Sequence, residues 1–153
     1  MPSLADRAIA SRGLEYLVIH GVERIKPAWK YQDFWALKQD VFFPLLDGLK
    51  ERGDQGQLWV TDHITAHKYE TERDSATVTV RSASPREVCL TLTCTADPAL
   101  YDEPLTLITR VPTGWKSCIM TQTGRNAALA VSQGEVRYDA RPDGRTVTLR
   151  KSE

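Results

Sequence analysis

The chain has 153 residues, 41% hydrophobic and 26% charged, a balance that suits a folded domain able to bury a core without disulfide staples. Twenty basic and twenty acidic residues cancel to a net charge of zero, which argues against broad electrostatic binding to nucleic acid or to an anionic membrane. No apolar run reaches the roughly 20 residues of a membrane-spanning helix, and the opening MPSLADRAIASRG lacks the apolar centre of a secretion signal.

Residues 3–12 read as a short helix, with Ser3 as a candidate N-cap, alanines as helix formers and Gly13 as the stop. Tyr16-Leu17-Val18-Ile19 is then an unbroken apolar run, ended by His20 and Gly21. Such runs suit strands buried on both faces, as in α/β sheets and barrels. Residues 22–31 read as a loop carrying Pro27 and Trp29. From about Tyr31 the pattern predicts a long helix, because Phe34, Leu37, Val41, Leu45 and Leu49 recur at three- and four-residue spacing. Pro44 removes one backbone hydrogen bond from it, and Gly53 ends it. Leu58-Trp59-Val60 predicts a short strand. Asp62 or Thr61 caps a further helix running to about Arg73.

After Asp74 the period changes to two. Val78 and Val80 alternate with threonines, as do Leu90 and Leu92, and Leu105 and Leu107 repeat the pattern. Further strands are predicted at 116–121, 127–131, 135–138 and 146–149. Turn signals such as Ser84-Pro85, Asp97-Pro98, Thr123-Gly124 and Gln133-Gly134 separate them. About seven short strands with this punctuation predict an antiparallel β-sandwich. The expected fold is therefore α+β: a partial α/β, βα-barrel-like unit over residues 1–74, then a β-sandwich accessory domain over 75–153. Unpaired edges of a partial α/β unit favour a homo-oligomer. Of the three cysteines, Cys89, Cys94 and Cys118, an odd count leaves one thiol unpaired. Cys89 and Cys94 stand five apart and would face opposite sides of a strand, so all three are expected to pack as small apolar groups. The compartment stays open.

His63 and His67 would share one face of a helix, a spacing that suits two imidazoles on one metal ion, with Asp62 or His20 as a third ligand. No glutamate follows His63 as in the HExxH motif. The competing reading is a surface helix whose Glu70, Glu72 and Arg73 form a solvated face. His20, at the end of an apolar strand, could act as general acid or base, or could simply bond a loop carbonyl. No nucleophile elbow and no phosphate-cradling glycine loop is present. Among the aromatics, Trp29 in its loop and Trp115 after Gly114 are candidates to stack on sugar rings, whereas Trp35 and Trp59 fit a core.

The run Tyr16 to Val22, Trp29, the stripe with Leu45-Leu46-Asp47-Gly48-Leu49, Leu58-Trp59-Val60-Thr61 and Lys68-Tyr69-Glu70-Thr71-Glu72-Arg73-Asp74 resembles the end of a polysaccharide deacetylase domain. Members of that family are metal-dependent carbohydrate esterases on a distorted (β/α) barrel, some with a β-sandwich appended, to which Tyr101 to Leu107 and Val136 to Gly144 are similar. The resemblance implies that His20 is the catalytic histidine that protonates the leaving group. It also implies a zinc-like divalent metal in a full-length relative, though none held by this chain. The family's paired aspartates and its HxxxHP-like metal motif have no counterpart here, since Lys68 follows His67 and the pair lies after His20. The expected function is thus the C-terminal part of a hydrolase that removes acetyl groups from a carbohydrate polymer, inactive as an isolated chain. The alternative is a non-catalytic carbohydrate-binding or interaction sandwich. A third reading is a self-contained metalloenzyme on His20, His63 and His67. Carbohydrate is the expected partner in the first two.

Overall fold

The computed structural model describes residues 2–23 and 35–152. By chain proximity the molecule divides into Met1–Thr61 and Asp62–Glu153, and each is described by itself.

The first unit holds α1 (Pro2–Ser11) and α2 (Gln39–Asp54). Helix α1 starts at Pro2, so Ser3 lies inside it rather than at its cap, and Arg12 ends it in the left-handed region at φ 53°. Asp6 Oδ1 accepts from Arg52 Nη2 at 2.7 Å, which ties α1 to α2. Pro44 lies within α2, and Leu45 is the buried residue of its stripe. Leu37 falls outside the helix, in an isolated parallel bridge with Val22. Tyr31 and Phe34 lie outside the described residues.

Two expected strands are not formed. Residues 14–20 form no strand and join no ladder, with Tyr16 57% and Val18 83% exposed. An apolar run becomes a buried strand only where flanking strands take up its backbone groups on both sides. The one bridge nearby, Val22 to Leu37, does not do that. Leu58-Trp59-Val60 is likewise no strand, and Trp59 and Val60 are more than half exposed. A βα-barrel-like unit is therefore not seen among the described residues.

The second unit opens with α3 (His63–Ser75), whose N-cap is Asp62: its Oδ1 accepts from the Thr65 N–H at 2.9 Å. Seven strands follow among the described residues: β1 (Ala76–Ala83), β2 (Glu87–Cys94), β3 (Leu105–Arg110), β4 (Ser117–Gln122), β5 (Arg125–Ala130), β6 (Glu135–Ala140) and β7 (Asp143–Lys151). They form a five-stranded sheet in the order β1-β2-β7-β4-β5 and a two-stranded sheet, β3-β6, with every pairing antiparallel. The turn between β4 and β5 is two residues long, Thr123-Gly124, both at positive φ (54° and 78°). That is the hairpin turn whose twist matches its strands.

Register sorts the two faces. Val88 faces Leu149, Leu149 faces Met120, and Leu90 faces Val147. These side chains join Leu105, Val136, Tyr138 and Ala140 of the small sheet in one core. On the opposite face one row crosses all five strands as Ser82, Cys89, Thr148, Thr121 and Asn126. Alternation in the sequence has become an apolar inner face and a polar outer one. None of the three cysteines forms a disulfide, and Cys118 is fully buried in the core.

Candidate functional site

A cluster of polar side chains lies where α3 meets the loop between β2 and β3. Ala66, Tyr69 and Glu72 recur every three residues along one face of α3. Ala66 is buried, and Tyr69 packs against the core. Glu72 continues that stripe and is 1% exposed. Its placement corrects the expectation of a solvated Glu70–Glu72–Arg73 face. Three-residue spacing from Ala66 and Tyr69 is the signal that would have found it, masked by the habit of assigning glutamates to solvent.

Glu72 Oε2 accepts from the Glu103 backbone N–H at 3.0 Å, while Oε1 has no hydrogen-bond partner. One turn earlier, Lys68 Nζ donates to Asp102 Oδ1 at 2.8 Å. Positions i and i+4 of one helix thus hold consecutive residues of one loop. Burial pushes the Glu72 carboxyl up, and the Glu103 N–H opposes that rise. The Lys68 hydrogen bond holds the Asp102 carboxyl below the usual carboxylate range and raises the lysine in return. Beside this clamp the rings of His67 and Tyr101 lie 6.4 Å apart, tilted by 58°. An exposed imidazole, a half-exposed phenol and an ion pair on one rim can offer hydrogen bonds and one aromatic face to a sugar.

His63 and His67 are both exposed on α3, four residues apart as expected. Among the described residues no group of three His, Cys, Asp or Glu side chains is placed to share a metal ion. His20 is exposed at the end of the irregular stretch 14–20, its ring 4.9 Å from that of Trp35 in an edge-on contact. Trp35, expected in a core, is 72% exposed. Trp29 lies outside the described residues. Trp115 is 5% exposed and belongs to the sandwich core, with its Nε1–H donating to the Pro85 carbonyl at 2.8 Å. Of the candidate site residues singled out from the sequence that fall among the described residues, His67 sits in the α3 cluster and His20, His63 and Trp115 are not part of it.

The second unit is thus a helix-capped antiparallel β-sandwich. Over 68 residues, 44% of its length, the chain is 34% identical to a gellan lyase from a Bacillus species, a match that spans 3% of that enzyme. No protein-family model matches the chain, and no solved structure does.

Proposed function

We propose that this chain is a non-catalytic, carbohydrate-binding part of a larger polysaccharide-active protein, with the sandwich as its scaffold. The observation that carries this reading is the similarity to gellan lyase, a polysaccharide-acting enzyme of which the matched stretch is a small fraction. A sandwich with its own continuous core supports it, since such a unit can hold a ligand surface in place without the rest of a parent enzyme. The rim of His67, Tyr101, Asp102 and Lys68 is the proposed polar contact surface, and Trp29 is a separate aromatic candidate that the sequence supplies.

The deacetylase reading has one observation in its favour: an exposed imidazole, His20, against an exposed indole, Trp35. That pairing would suit a proton donor beside a bound sugar ring.

Electrophoresis of the chain through gels containing dissolved polysaccharides, with acetate release measured in parallel, tests both. The module reading expects retardation by at least one polymer, weakened in Trp29→Ala and Tyr101→Ala, with no acetate released. Unchanged mobility in every gel overturns it. Acetate release that disappears in His20→Ala transfers the assignment to the esterase.

A further inference from the structure

We propose that the end of the sandwich built from Arg86, Arg150 and Lys151 binds a carboxylate-bearing saccharide. The proposal rests on the carbohydrate reading and narrows it to an acidic class of polymer.

A solvent-open groove of about 550 Å³ is lined there by Arg86, Glu87, Arg150, Lys151 and Ser152. That volume falls within the roughly 300–1,000 Å³ of small-ligand sites. Among the described residues that line it, three cations face one carboxylate, an excess of two positive charges. Glu87 is matched to Arg150, whose Nη2 and Nε donate to Oε2 at 2.6 and 3.1 Å. This pairing holds the Glu87 carboxyl below its usual range. Arg86 and Lys151 are exposed and form no ion pair with the described residues. The chain carries no net charge, so this is a local field, effective within about 10 Å at moderate salt.

The groove is braced by backbone. The Ser84 N–H donates to the Glu87 carbonyl at 2.8 Å, and Ser84 Oγ accepts from the N–H groups of Arg86 and Glu87. The Lys151 N–H donates to the Arg86 carbonyl at 2.9 Å, which fixes the two cations beside each other. Trp115 completes the brace from below through its bond to the Pro85 carbonyl. Here the tryptophan is a positioning residue for the turn that carries Arg86. A guanidinium takes a carboxylate through two parallel N–H donors, and an ammonium adds a point charge. Alternating carboxylates along a uronic-acid polymer meet both requirements, and a neutral glycan meets neither.

Titration calorimetry with sodium polygalacturonate, its methyl ester, a neutral glucan and polyglutamate separates the possibilities. The expected result is binding to polygalacturonate that weakens about tenfold or more with the ester, with added salt, and in Arg86→Gln/Lys151→Gln. Both substituted side chains are exposed, and an unchanged thermal melt confirms the fold. Trp115→Phe is expected to weaken the acidic polymer and to leave any affinity for the neutral glucan unchanged. Equal binding of acid and ester, equal binding by the double variant, or equal binding of polyglutamate overturns the proposal. Binding of polygalacturonate that the double variant leaves undiminished would keep the carbohydrate reading standing while the groove assignment falls. No binding to any glycan removes both.

Discussion

The two units bury their apolar residues to very different degrees. In Asp62–Glu153, eleven buried side chains from both sheets and Trp115, from the connection before β4, form one cluster. Among the described residues of Met1–Thr61, the buried hydrophobics are Ala5, Ala8 and Leu45, while Leu14, Tyr16, Val18, Trp35, Phe43, Leu46, Trp59 and Val60 are exposed. A stretch rich in apolar residues does not make a core by composition. A core needs two faces that meet, and the strands supply both, because register places Val88, Leu90 and Leu149 opposite the small sheet.

The largest test of that contrast is a pair of truncations. Leu90→Ala removes a side chain 1% exposed from the sandwich core, and is expected to cost about 2–5 kcal/mol. Val18→Ala, at a residue 83% exposed, is expected to stay within about 0.5 kcal/mol. Chemical denaturation followed by circular dichroism reads both. Equal losses would show that residues 14–20 contribute to stability as a core strand does, and the contrast would fail.

What was legible in the sequence follows the same line. Period-two alternation located β1, β2 and β3, and turn signals set off the other four strands. The boundaries drifted by one to three residues, as with β7, which begins at Asp143 rather than Thr146. Asp62 was readable as a cap because its chemistry is local. Tyr16 to Ile19 misled because an unbroken apolar run carries no information about whether neighbours exist. Trp115 and Glu72 misled in opposite directions: a tryptophan after a turn glycine went into the core, and a glutamate in a charged run went under a loop. The sequence does not display the loop that returns Asp102 and Glu103 to α3.

A second test asks how much the buried carboxyl costs the better-packed unit. Lys68, Asp102 and Glu103 are the charged groups that act on Glu72. Its folded pKa is raised above the unfolded value of about 4.3. Its contribution is therefore fully present below that value and is lost as pH rises through the folded pKa. The native chain is expected to lose stability over this interval, and Glu72→Gln, which keeps an acceptor for the Glu103 N–H, to flatten the slope. Near neutral pH the variant should be the more stable, because it removes the charge whose burial raises the carboxyl. Denaturation curves recorded across the pH series decide it. A parallel slope in the variant would place the titrating group elsewhere.

The smallest effect concerns the residue at which the second unit begins. Asp62 accepts from Thr65 through both backbone N–H and hydroxyl, at 2.9 Å each. Asp62→Ala is expected to cost about 0.5–1 kcal/mol, the lower part of the range for a lost N-cap. The informative quantity is how that loss appears. A 13-residue helix of this composition is marginal by itself, so α3 persists through its packing of Tyr69 and Glu72 against the strand-rich unit and its loop. If helix and strands melt together, the variant shifts one cooperative transition seen equally in the helical and tertiary signals. If α3 frays independently, helical signal falls at low denaturant while the tertiary transition stays in place. The first outcome makes α3 part of the sandwich domain. The second separates them and would make the Glu72–Glu103 contact a consequence of docking, with no hold on the fold.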